Sequence, residues 1–135
     1  MARTWCGTVD YMPPEMLVRS CYKAAIAKSP PASDEQQPAN KTKFSYDPCK
    51  SDVWSTGVLL FLLLNDDFPF GGQGQELEMY SLQTERKYVF FNKSLTDGAK
   101  EVIDLHLEPD PDKRWPFEKI LKHSWFDEQC WQSTI

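Results

Sequence analysis

From Val53 to Leu64 the chain is apolar almost all round. A helix at a protein surface carries one apolar stripe, whereas one apolar on every side is buried. This stretch is therefore predicted as a central helix over Lys50–Leu64, with Ser51 able to cap its start and Asp52 suited to its first turn. Asn65-Asp66-Asp67 ends it, and Phe68-Pro69-Phe70-Gly71-Gly72 reads as a turn that drops two aromatic rings onto the core. Gln75–Glu85 is predicted as a second helix, with Leu77, Tyr80 and Leu82 turned inward. Tyr88-Val89-Phe90-Phe91 forms an apolar patch in extended form. Thr96 offers a cap to a helix carrying Ala99, Val102, Ile103 and Leu105 at helical spacing. Glu108–Asp112 places two prolines among acids and must be a loop. A last helix is predicted from about Pro116 to His123, with Ile120 and Leu121 inward and Trp125-Phe126 closing it.

The first part of the chain has a different texture. Met1–Leu17 reads as an extended loop, because Pro13 and Pro14 each push the preceding residue out of helical geometry. A short helix is predicted to begin near Pro14, since proline suits the first helical position. Residues 18–45 turn polar and proline-rich around Lys28–Pro38. Such composition buries too little surface to offset ordering entropy, so a flexible surface excursion is expected. No strand pattern emerges, and the fold class is expected to be mainly α.

Composition narrows the function classes. Apolar residues make up 41% of the 135, enough for one core, and charged residues make up 26%, which argues against wholesale disorder. A net charge of −5 gives no reason to expect nucleic acid as the main partner. The excursion over residues 18–45 is basic, which suits either an acidic partner or a solvated loop. The longest apolar run, Val58–Leu64, is far shorter than the roughly 20 residues needed to span a bilayer, and no secretory signal is visible. A soluble intracellular protein, cytoplasmic and without a membrane partner, is expected. Cys6, Cys21, Cys49 and Cys130 are scattered with no close pair at metal spacing. They read as reduced thiols, with a disulfide as the alternative.

Two short blocks carry the chemistry. One is Cys6-Gly7-Thr8-Val9-Asp10-Tyr11-Met12-Pro13-Pro14-Glu15; the other is Ser51-Asp52-Val53-Trp54-Ser55-Thr56-Gly57-Val58. With Pro69-Phe70, Asp110-Pro111-Asp112-Lys113-Arg114 and Leu121-Lys122-His123-Ser124-Trp125-Phe126, they recur in an order that resembles the C-terminal lobe of eukaryotic protein kinases. The resemblance covers about Arg3 to Phe126. It implies an incomplete, mainly helical kinase subdomain over residues 1–126, with the excursion at 18–45 inside it and a short tail at 127–135. The closest subgroup likeness is to calcium/calmodulin-dependent-type kinases, testis-specific serine/threonine kinases among them, through Tyr46-Asp47-Pro48, the Asp-Val-Trp-Ser block and Leu107–Pro111.

Roles follow from the resemblance, residue by residue. Gly7, Thr8 and Pro14 resemble the loop that receives the substrate residue next to the phosphorylated hydroxyl, and a threonine at position 8 favours serine/threonine specificity. Thr4 falls where many family members carry an activating phosphate; otherwise it is an ordinary loop threonine. Glu15 resembles the glutamate that pairs with a buried arginine, here Arg114, and carboxylate–guanidinium geometry supports two parallel charge-assisted bonds. The alternative is two unrelated surface charges. Asp52, Trp54 and Gly57 resemble scaffold positions of the central helix, although Asp52 also serves as a simple helix-start charge. His123 is expected to be structural, and His106 a satisfied or solvated histidine.

The same resemblance marks what these residues lack. Phosphoryl transfer in the family uses ATP and Mg, a glycine-rich loop, a strand lysine, a His-Arg-Asp base block and an Asp-Phe-Gly metal ligand. None stands in this sequence. No catalytic, cofactor-binding or metal residue is therefore assigned, and the chain is expected to be cut before the end of its activation segment. Pro13 stands where alanine is usual, and Pro116 where a serine or threonine caps the last helix. Two readings are carried forward. One is a part of a serine/threonine kinase that positions a protein or peptide substrate and joins the missing kinase half. The other is a non-catalytic module that binds a regulatory partner.

Overall fold

The computed structural model describes residues 9–27, 46–71 and 76–127, with backbone alone at 22–27. Among the described residues five α-helices follow one another: α1 Pro14–Ala27, α2 Pro48–Asn65, α3 Glu76–Thr84, α4 Asp97–His106 and α5 Phe117–Ile120. Short 3-10 turns lie at Val9–Tyr11 and Ser124–Phe126. Among the described residues there is no strand, in keeping with the mainly α expectation.

Helix α2 is the axis. It starts two residues earlier than predicted. Asp47, not Ser51, is the cap, its side chain accepting from the Cys49 N–H at 2.9 Å, and Pro48 follows at the first helical position. An aspartate cap followed by proline supplies an acceptor and a preset φ together, which explains the earlier start. Ser51 is buried inside the helix instead, its hydroxyl without a partner among the described residues. The helix ends at Asp66, whose left-handed backbone (φ 59°) lets its N–H donate back to the Leu62 carbonyl at 2.8 Å.

Around this axis the apolar side chains form one main core and a smaller one. Trp54, Val58 and Phe61 of α2 meet Leu17, Phe70, Met79, Ile103 and Leu107. Val53, Val102 and Ile120 form the second cluster. Phe70 lies stacked on Trp54, with centroids 5.7 Å apart and planes 11° apart, so the turn after α2 does return a ring to the core. Asn65, buried at the end of α2, accepts from the N–H groups of Phe91 (3.1 Å) and Asn92 (3.3 Å) and so pins the extended stretch before α4. One stripe of α2 stays exposed: Asp52, Thr56, Leu59 and Leu63.

Close approach of α2 and α4 depends on Gly57. A Cβ there would stand 2.4 Å from the Cβ of His106. His106 is itself buried, donating from Nδ1 to the Val102 carbonyl at 2.7 Å. It is thus the satisfied histidine of the two expected forms, and burial pushes its pKa below the usual imidazole value. Thr96 caps α4 as predicted, accepting from the Ala99 N–H.

Three expectations need correction. Residues 18–27, read as the start of a flexible excursion, continue α1. That segment holds no glycine or proline, and α1 is anchored through fully buried Leu17. Residues 28–45 lie outside the described residues. Leu77 is exposed, and Met79 and Gln83, one turn apart, form the buried face of α3. The last helix is one turn long, ending at Ile120, so Leu121 faces outward. Pro116 at its cap position makes no side-chain cap bond, and His123 opens a separate turn by accepting from the Trp125 N–H. The Trp125 and Phe126 rings then pack edge-on at 5.0 Å beside the second cluster. Among the described residues no helix is long and apolar enough to cross a membrane.

Candidate functional site

The site is built on residues 9–17, a segment poor in its own donors. Pro13 and Pro14 carry no N–H, so they cannot pair this stretch with any backbone ladder. The Val9–Tyr11 turn is closed by the Met12 N–H on the Val9 carbonyl at 3.0 Å. The Pro13 carbonyl accepts from Met16 (3.0 Å) and Leu17 (3.1 Å) as α1 begins. Two carbonyls between them are met by side chains from elsewhere in the fold. The Ser55 hydroxyl of α2 lies 3.0 Å from the Tyr11 carbonyl and 3.1 Å from that of Ser51, with one proton for the two. The Gln83 side-chain amide of α3 donates to the Met12 carbonyl at 2.8 Å. The Tyr11 ring rests edge-on against Phe68 at 5.5 Å.

One residue further, Glu15 meets Arg114 across 99 positions of sequence. The guanidinium donates to both carboxylate oxygens, from Nη1 at 2.8 Å and from Nη2 at 3.0 Å. Its other three N–H groups reach main-chain carbonyls: Lys50 (2.8 Å), Glu108 (2.8 Å) and Pro109 (3.5 Å). All five donors of Arg114 are used, and its side chain has no exposed surface while Glu15 keeps 16%. The Lys50 ammonium donates in return to the Arg114 carbonyl at 2.6 Å. The guanidinium carbon lies 5.1 Å from the centre of the Trp54 ring, a cation–π distance. Arg114 thus ties together the start of α1, the start of α2 and the Glu108–Pro109 loop, on top of the core tryptophan.

Pro14, Glu15, Arg114, Trp54 and Gly57 accordingly belong to one packed body. Asp52 does not join them; it stands on the exposed stripe of α2, with the Thr56 hydroxyl donating to its main-chain carbonyl at 2.8 Å. Thr4, Gly7 and Thr8 lie outside the described residues. Cys21 and Cys49 are free thiols, and Cys6 and Cys130 lie outside the described residues. Burial and the nearby Glu76 carboxylate push the Cys21 thiol above its ordinary value. Gln83 and Lys50 carry tethers that no motif announced, and Ser55, inside the Ser51–Val58 block, carries one for which that block had suggested no role. Beside Glu15 opens a cleft of about 300 Å³, with Pro14, Val18 and Arg19 on one wall and Tyr46, Tyr80 and Pro111 on the others.

The helical body, the loop held at its edge and the buried arginine beneath that loop define a class that comparison with known proteins names. Residues 40–126 match the protein kinase domain family. The chain is 33% identical over 126 residues to CBL-interacting serine/threonine-protein kinase 15 of Arabidopsis thaliana, covering 93% of this chain and 24% of that protein. It is 31% identical over 131 residues to Aurora kinase of Patiria pectinifera, covering 97% of this chain and 26% of that protein. Serine/threonine-protein kinase H1 homolog of Danio rerio is 29% identical over 138 residues, with 100% of this chain and 26% of that protein covered. The chain belongs to the protein kinase family, among its serine/threonine members. It spans about a quarter of the length of these relatives.

Proposed function

We propose that this chain supplies the substrate-positioning loop and the helical scaffold of a serine/threonine protein kinase. The observation that carries this reading is the set of tethers on residues 11–15: Ser55, Gln83 and Arg114 each grip it from a different part of the fold. A loop that must hold an extended peptide beside a transferring phosphate gains from such preorganisation, because binding then loses less entropy. Gly7 and Thr8 are the residues that would face the peptide, with buried Pro14 supporting the loop from behind, and a phosphate on Thr4 would add about two charges next to them. Glu15 and Arg114 form the clamp, and Trp54 and Gly57 the scaffold, with Asp52 on the exposed stripe of the same helix. Residues 1–126 make up the kinase portion in this reading, with 127–135 as a tail.

Nucleotide chemistry lies elsewhere in the reading. In the family ATP and Mg supply the phosphoryl group and its charge neutralisation. Among the described residues no three carboxylates, histidines or cysteines come together as a metal cluster, and the sequence holds neither His-Arg-Asp nor Asp-Phe-Gly. These residues do not fit the group. The 135 residues alone are expected to leave Mg-ATP unbound and to bind a serine- or threonine-containing peptide weakly. Thermal shift with Mg-ATP, run beside fluorescence anisotropy with a peptide library, tests both halves. A nucleotide-dependent rise in melting temperature overturns the first, and no peptide above background overturns the second.

One observation favours the second reading, a binding module without chemistry. Leu59 and Leu63 stand 45% and 73% exposed on the outer stripe of α2, the most apolar helix of the chain. A specific protein partner recovered through that stripe, with no peptide binding at the loop, would replace the first reading by the second.

A further inference from the structure

We infer that Gln83 is a positioning residue that fixes the main chain of Met12, and with it the segment Val9–Pro14, against α3. The inference rests on the reading of that segment as a substrate-positioning loop only for its consequence, not for its geometry. Gln83 is fully buried on α3, with Met79 one turn before it. Its amide nitrogen donates to the Met12 carbonyl at 2.8 Å, across 71 positions of sequence. Its amide oxygen is buried with no partner among the described residues. A side chain kept there for packing alone would be apolar, because leucine or methionine fills similar volume without burying an unpaired acceptor. A glutamine in that place loses hydration at both ends and recovers one bond, and that bond goes to the loop.

The chain chemistry around Met12 explains why this one bond has leverage. The Met12 N–H is spent closing the Val9–Tyr11 turn and the two prolines that follow cannot donate, so no N–H of residues 12–14 is left to fix the Met12 carbonyl. Tyr11 is held from α2 by a hydroxyl that also has the Ser51 carbonyl within reach. Glu15 is held by Arg114. Between these two fixed points, Gln83 is the described side chain that reaches the main chain. It therefore decides how the Met12–Pro13 peptide plane is turned, and through it the direction in which residues 9–12 leave the helical body. Movement of α3 is passed to the loop by the same bond.

The test uses the full 135-residue chain and the variants Gln83→Met and Gln83→Ala. Methionine keeps length and volume and loses the donor. Gln83→Met should leave the thermal midpoint unchanged or raise it. It should speed amide exchange across residues 9–16 roughly three- to tenfold, the span of one lost net hydrogen bond. It should also shift the carbonyl carbon resonance of Met12 in a chain labelled at methionine carbonyls. Exchange in α2 and α4 should stay as in the parent chain. Gln83→Ala should lower the midpoint as well, because it opens a cavity. An unchanged Met12 resonance and unchanged loop exchange in Gln83→Met would overturn the inference. So would exchange that rises equally in α2 and α4, which marks a packing residue. Peptide anisotropy on the same samples judges the other reading separately: a parent chain that binds no peptide removes the substrate role while the Met12 resonance still decides the inference.

Discussion

Replacing Arg114 by methionine tests the clamp most directly. Methionine fills part of the arginine volume and removes all five donors. The Glu15 carboxylate, with 16% of its side chain exposed, then recovers little water, and three main-chain carbonyls lose a donor. Breaking one side of a buried ion pair costs about 3–5 kcal/mol. Arg114→Lys keeps the charge but cannot form paired bonds with Glu15 while also reaching Lys50, Glu108 and Pro109. It should cost roughly 2–3 kcal/mol. Urea unfolding followed by tryptophan fluorescence is the assay, since Trp54 lies directly under the guanidinium. With a slope of about 2 kcal/mol per molar, Arg114→Met should lower the midpoint by roughly 2 M. The double variant Glu15→Gln, Arg114→Met should cost about 1–3 kcal/mol less than the sum of the singles, because the two groups interact directly. A loss below about 1 kcal/mol in Arg114→Met would refute the reasoning, since that is the range of an exposed pair.

Gly57→Ala should destabilise by about 1–3 kcal/mol, the cost of overpacking, although alanine is the better helix former by about 1 kcal/mol. A gain in thermal midpoint would mean that the 2.4 Å approach to His106 relaxes without cost. The depressed pKa of His106 sets a pH dependence. The unfolded chain takes up a proton as pH falls through the ordinary value of 6.5, and the folded chain does not until lower pH. Stability is therefore full above pH 6.5 and falls below it, by at most about 1.4 kcal/mol per pH unit from this group. Urea titrations between pH 7.5 and 5 should show that slope, and His106→Gln should flatten it. Pro116→Ser should raise stability by about 0.5–1 kcal/mol by giving α5 the side-chain cap it lacks, read as a higher melting temperature.

The parts of the fold visible in the sequence are those in which local chemistry and burial agree. Largely apolar character over Val53–Leu64 marks a helix whatever it packs against, and the structure makes it the axis. Thr96 followed by a helical apolar stripe marks α4 in the same way. Pro13 and Pro14 hid the length of α1, because they describe only its entrance; what extends it is the absence of breakers up to Ala27 and the burial of Leu17. Leu77 and Leu121 misled for the opposite reason, since hydrophobicity says that a residue gains from burial and not that a partner surface is within reach. In the site, family resemblance drew attention to Glu15 and Arg114, and the structure places them in contact. Gln83 has no such marker, and Ser55 sits in a marked block without a role assigned to it. A side chain that donates to a distant main-chain carbonyl leaves no periodicity and no motif, because its partner is a group that every residue has.

The Glu15–Arg114 contact also fixes an order in time. Arg114 lies 99 residues after Glu15, so during synthesis at about 5–20 residues per second the first waits roughly 5–20 seconds for the second. Helices α1 and α2 can form in that interval, but the Lys50 carbonyl and the Glu15 carboxylate both depend on a guanidinium that does not yet exist. The loop at residues 9–15 is thus locked only after the chain up to Arg114 has been made. Throughout that wait the Glu15 carboxylate lacks the partner that later covers it.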